Sequence, residues 1–218
     1  MNGEAKKKEE APQQALARLE RELGAGKLAS VYLCSGEERY FRARIAELVL
    51  GTAQARGLEI CRHDAKHPEF SLLRLCDDLR GNALFAAARC VLIQSLGTLV
   101  TKTQREYSPA FVELLLARLA KPGGSVLVLA SESLRADHAV MKAASAAGGW
   151  VVHCRKLWDT PPPWGGGDPN RIELVAWCLD RARALRVRLR ADEALYLVQA
   201  VGNDLAALDG ELERFRQR

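Results

Sequence analysis

Short unbroken apolar runs alternate along the chain with stretches in which apolar residues recur every three or four positions. The runs at 30–34, 90–93, 126–130 and 150–154, together with the segment 58–63 that continues the alternation, predict five strands. The stretches between them predict helices at 13–23, after Gly36 with Tyr40, Ile45, Leu48 and Val49 on the apolar side, and at 68–79, 106–119 and 137–147. A run such as Val126-Leu127-Val128-Leu129, with no polar alternation, suits a strand covered on both faces. Strands that feed helices in this regular way predict a doubly wound, parallel α/β sheet.

Beyond Cys154 the pattern changes. Pro161-Pro162-Pro163-Trp164-Gly165-Gly166-Gly167 interrupts it, and only helical periodicity follows, at 170–185, 191–201 and 204–216. Asp192 and Asn203 are the candidate caps of the last two helices. The predicted organisation is an N-terminal tail and helix (1–27), an α/β domain (28–156), a Pro/Gly linker (157–169) and a small three-helix domain (170–218).

Composition narrows the class. With 218 residues, 48% hydrophobic and 27% charged, the chain suits a soluble globular protein with a sizeable core. The net charge of +5 permits nucleic-acid contact without demanding it. No apolar run approaches the roughly 20 residues of a spanning helix. The start, MNGEAKKKEEAPQQ, has no apolar region behind its lysines, which argues against a secretory signal and predicts a cytoplasmic protein. Six cysteines lie singly among apolar neighbours without metal-ligand spacing, as expected of reduced thiols in the core.

A sheet followed by three helices is the outline of an ATPase, so the first strand-to-helix turn is the place to look for phosphate chemistry. A phosphate loop needs glycines, a lysine and a hydroxyl there. The chain reads Cys34-Ser35-Gly36-Glu37-Glu38-Arg39-Tyr40-Phe41, with one glycine, no lysine and two carboxylates that repel phosphate. The strand Val91-Leu92-Ile93 runs into Gln94-Ser95, so the acidic residue that organises magnesium is also missing. His63, His67, His138 and His153 lack ligand spacing on a helix. Ser35 and Ser131 follow strands but lie outside G-x-S-x-G. The sequence therefore predicts no catalytic residue, metal or cofactor.

These same residues carry a family resemblance. The stretch Val31-Tyr32-Leu33-Cys34-Ser35-Gly36-Glu37-Glu38-Arg39-Tyr40-Phe41 resembles the start of the delta subunit of the bacterial DNA polymerase III clamp loader. Three further segments look like that family in the same order. They are Arg80-Gly81-Asn82-Ala83-Leu84-Phe85 with Arg89-Cys90-Val91-Leu92-Ile93; Pro122-Gly123-Gly124-Ser125-Val126-Leu127-Val128-Leu129, continuing through Leu134 and Lys142 to Val151-Val152-His153-Cys154; and Val201-Gly202-Asn203-Asp204-Leu205-Ala206-Ala207-Leu208 with Glu211-Leu212-Glu213-Arg214-Phe215. The set spans about residues 30–216.

The resemblance implies an AAA+-like five-stranded parallel sheet with a three-helix lid that binds no ATP. It implies a subunit of a DNA-directed DNA polymerase holoenzyme that grips the beta-type sliding clamp and holds the ring open, beside tau/gamma- and delta-prime-type subunits and primed DNA. Family members continue into a helical collar, whereas this chain stops at Arg218, and its Pro/Gly linker is longer than the family pattern. The family's clamp-binding Leu-Phe pair falls on Leu84 and Phe85. By residue type alone this bulky pair, between glycine, asparagine and alanines, suits either an anchor in a partner's pocket or a plug for the protein's own core. A second candidate surface is basic. Arg171, Arg181, Arg183, Arg186, Arg188 and Arg190 face only Glu173 and Asp180, a local net of +4. Such a stripe can follow DNA phosphates, or Arg186-Val187-Arg188-Leu189-Arg190 can be a solvated edge with Val187 and Leu189 turned inward. A DNA-binding or adaptor module that does not contact the clamp is the alternative reading.

Overall fold

The computed structural model describes residues 10–80, 88–161, 168 and 171–217. The chain divides into two compact units, Met1–Arg155 and Lys156–Arg218.

The first unit is built on five strands, β1 (Val31–Ser35), β2 (Glu59–Asp64), β3 (Arg89–Gln94), β4 (Val126–Ser131) and β5 (Trp150–His153). They form one sheet in the order β2-β3-β4-β1-β5, and every pairing is parallel. α1 (Pro12–Gly24) precedes β1, and the connections carry α2 (Arg39–Ala55), α3 (Leu72–Arg80), α4 (Gly97–Val100), α5 (Pro109–Ala120) and α6 (Ala139–Ala146).

Successive side chains of a strand point to opposite faces, so a central strand must be apolar throughout. Val31, Leu33, Val91, Ile93, Leu127 and Leu129 join one buried cluster with Leu75 and Leu79 of α3, Phe111, Leu115 and Leu119 of α5, and Val140 and Ala144 of α6. Tyr32, Leu92 and Val128 alternate with them and are equally buried, on the side covered by α2. Each such side chain contributes about 1.5–3 kcal/mol of transfer free energy. The edge strand β2 is different: Glu59 and Arg62 are exposed, and Arg62 pairs with Glu47 at 3.0 Å.

The second unit contains α7 (Glu173–Ala184), α8 (Ala191–Val201) and α9 (Leu205–Arg216). Ala182, Leu185 and Leu212 form a buried cluster against which Val187, Leu189 and Leu197 pack. The Asn203 amide donates to the Leu157 carbonyl at 2.8 Å.

Several details depart from the sequence expectations. The helix expected at 106–119 begins at Pro109, because Ser108 caps it by accepting the Phe111 N–H at 3.3 Å, with proline at its first position. The helix expected at 68–79 is Leu72–Arg80. The one-turn helix α4 is too short to show a period. On α2 the buried positions are Phe41, Ile45, Ala46, Val49, Leu50 and Ala53, while Tyr40 and Leu48 are half-buried. Asp192 and Asn203 are not the caps. Arg190 precedes α8, its N–H held by Glu193 at 2.7 Å, and Asp204 caps α9 by accepting from Ala206 and Ala207 at 3.0 Å each. All six cysteines are free thiols; Cys61 and Cys76 are half-buried rather than buried. No helix among the described residues is long and apolar enough to cross a membrane.

Candidate functional site

The turn from β1 into α2, where a phosphate loop would sit, is closed by the protein's own backbone. The Gly36 N–H donates to the Ser131 carbonyl at 3.1 Å, and the Glu38 N–H donates to the Cys154 carbonyl at 2.8 Å. Cys154 in turn donates its N–H to the Ser35 carbonyl at 2.6 Å. The chain leaving β5 thus lies against the turn so closely that a Cβ on Gly36 would fall 2.4 Å from the Cys154 oxygen, and Gly36 holds φ +136°. Only glycine fits both demands. The Arg42 guanidinium donates to the Gly36 carbonyl. Glu38, buried, caps α2 by accepting the Tyr40 N–H at 3.0 Å. Two amides that could wrap a phosphate are therefore spent, and a carboxylate stands beside them.

Two side chains of β1 beside this turn are likewise committed. The Ser35 hydroxyl donates to the Leu134 carbonyl at 3.1 Å and accepts the Leu134 N–H at 2.9 Å. A hydrogen bond with Cys154, together with burial, holds the Cys34 thiol well above the ordinary range, which keeps it protonated and unreactive. Burial also pushes Cys90 up to about 12. Among the described residues, no group of three or more His, Cys, Asp or Glu is placed to hold a metal.

Leu84 and Phe85 lie outside the described residues. The chain on either side of them is held firmly. Asp78, in the last turn of α3, accepts from Arg89 at the start of β3 at 3.2 Å and pairs with His63 Nε2 at 2.8 Å. Arg89 also bonds Glu59 at 2.8 Å. An ion-pair network therefore ties the end of α3 to β2 and β3.

The basic stripe is not one surface. Arg181 turns inward between α7 and α9, pairing with Asp209 at 2.5 Å and Glu213 at 3.3 Å, with its side chain 23% exposed. Arg183 pairs with Asp180 at 2.5 Å, Arg171 with Asp168 at 3.9 Å and Arg190 with Asp192 at 3.2 Å. Arg186 and Arg188 are exposed and make no side-chain ion pair or hydrogen bond among the described residues. Val187 and Leu189 pack inward, in keeping with the solvated-edge reading of this segment. Sequence reasoning missed two neighbours of this segment, Tyr196 on α8 and Phe215 on α9, which are 74% and 41% exposed. The available signal was that Tyr196 falls between the buried Ala194 and Val198 stripe positions.

No sequence-family model and no curated protein sequence matches the chain. Solved structures do. The *Bacillus subtilis* DNA clamp loader delta protein aligns with a TM-score of 0.66 at 17% identity, over 93% of this chain and 57% of that one. DnaA from *Aquifex aeolicus*, bound to AMPPCP, gives 0.57 at 14% identity, over 95% and 62%. The *Thermotoga maritima* RuvB Holliday junction branch migration motor gives 0.51 at 13%, over 94% and 61%. The fold is therefore AAA+-like, and the chain spans less than two thirds of the length of each of these proteins.

Proposed function

We propose that the chain acts in DNA replication as a delta-type clamp-loader subunit, which binds a beta-type sliding clamp and helps open the ring without hydrolysing ATP. The observation that carries this reading is a pairing: an AAA+-like fold similar to a clamp loader delta protein, and a phosphate turn closed by Gly36, Glu38 and Cys154. With the Gly36 and Glu38 amides engaged, this reading assigns the chain a binding role. Leu84 and Phe85 supply the contact, entering an apolar pocket of the clamp as a hot-spot pair. In the described chain that flanks them, Asp78 of α3 pairs with Arg89 of β3 at 3.2 Å. Ring opening follows if the chain binds the open ring more tightly than the closed one, since only differential affinity shifts such an equilibrium. Tau/gamma- and delta-prime-type subunits would supply ATP hydrolysis, and primed DNA would pass near the complex in the cytoplasm.

The test is binding to the sliding clamp of the same organism, wild type beside Leu84→Ala/Phe85→Ala. Native mass spectrometry should show a wild-type complex that the double variant loses. A folded wild type that fails to bind, or a variant that binds equally, rejects the clamp contact. One observation favours a second reading, a DNA-binding module: Arg186 and Arg188 are cations with no carboxylate partner among the described residues.

A further inference from the structure

We infer that the helical unit carries a binding groove for single-stranded nucleic acid, built from Arg186 and Arg188 with Tyr196 and Phe215. The inference deepens the nucleic-acid part of the reading above and is independent of the clamp contact. The groove has a volume of 1160 Å³ and is lined by Arg186, Val187, Arg188, Tyr196, Leu197 and Phe215 among others. Its floor is apolar, because Val187 and Leu197 pack on the Ala182–Leu185–Leu212 cluster.

The charges around it favour an anionic occupant. Its carboxylates are already engaged: Asp192 holds the Arg190 guanidinium at 3.2 Å, Glu193 accepts the Arg190 N–H at 2.7 Å, and Glu213, nearby on α9, pairs with both Arg181 and Arg216, each within 3.4 Å. Arg186 and Arg188 are left to face solvent. Arg188 and Arg190 are exposed on either side of the half-buried Leu189, so they share one side of an extended segment. Arg188 is the member of this pair left without a carboxylate among the described residues, since Arg190 is held by Asp192.

The aromatics decide what kind of anion. Tyr196 and Phe215 expose most and nearly half of their surface respectively, a costly arrangement for a residue with no partner, and flat rings beside guanidinium groups are what unpaired bases stack on. An acidic peptide has no use for two stacking faces. A duplex hides its base faces, which leaves only its phosphates to bind.

The experiment is fluorescence anisotropy of a labelled oligothymidylate with the whole chain at low salt, repeated over a salt series. Wild type should bind with a steep salt dependence. Arg186→Ala/Arg188→Ala should weaken binding more than tenfold and flatten the log–log salt slope by about 1.4, at about 0.7 per phosphate contact. Tyr196→Ala, at an exposed position that folding does not need, should weaken it about fivefold or more through lost stacking. Arg183→Ala, which removes one charge outside the groove, should change affinity less than twofold. Four results overturn the inference: no binding by folded wild type, equal loss in Arg183→Ala, unchanged affinity in Tyr196→Ala, or a duplex or polyglutamate competing as well as the single strand. Clamp binding by the same variants separates the two proposals, since Tyr196→Ala should leave it intact.

Discussion

The β1–α2 turn and the 186–190 segment are opposites in how their polar groups are spent. At the turn, Gly36 and Glu38 give their N–H groups to Ser131 and Cys154, and the chain leaving β5 fills the space. On the segment, Arg186 and Arg188 stand exposed, with no ion-pair partner among the described residues, beside two exposed rings. A polar group that already has a buried partner contributes to stability; one left to solvent at low cost remains available to a ligand.

The largest effect that tests the contrast is at Gly36. A Gly36→Ala Cβ meets the Cys154 backbone with nowhere to move, so the first unit should lose about 3 kcal/mol or more, read as a lower urea midpoint. If the variant is as stable as wild type, the turn is not sealed. Next in size is Arg181→Ala. It breaks a partly buried pairing between α7 and α9 and should cost the helical unit about 1–2 kcal/mol, with no loss of oligothymidylate affinity in the folded protein. Equal losses of stability from Arg186→Ala would erase the distinction between a structural and an available arginine. Asp204→Ala removes the cap that accepts two N–H groups of α9 and should cost about 1 kcal/mol.

Absent at neutral pH, and so last, is a pH dependence common to both units. Burial pushes Cys90 in the sheet and Cys178 in α7 up to about 12. The unfolded chain gives up these protons from about pH 8.5, whereas the folded chain keeps them. The stability contributed by neutral, buried thiols is therefore complete below that pH and falls as pH rises toward 12. Thermal unfolding between pH 8 and pH 11 should show this, and Cys178→Ala should reduce the slope for the helical unit alone.

The sheet was legible because four of its strands are buried enough to leave apolar runs, and β1 and β4 are buried at every position. The edge strand β2 was found from its place between helices rather than from its own composition, which is mostly polar. The helix at 109–120 was started too early because Ser108-Pro109, a cap followed by a first-position proline, was read as interior helix. The candidate site was less legible for a plain physical reason. Local spacing can reveal the Asp180–Arg183 pair, three residues apart, but not that Asp209 and Glu213, 28 and 32 residues along, neutralise Arg181. Nor can it show that Cys154 reaches back to Gly36. Long-range closure of one site and withdrawal of one arginine from another stripe both depend on tertiary contacts that no single-sequence pattern records.

The most direct test of the account is the affinity of the chain for the sliding clamp of its own organism, measured by surface resonance with and without magnesium and ATP. A subunit whose phosphate turn is closed by its own backbone should bind the clamp with the same affinity in both conditions. Failure of the folded chain to bind, or binding that appears only when nucleotide is added, would contradict it.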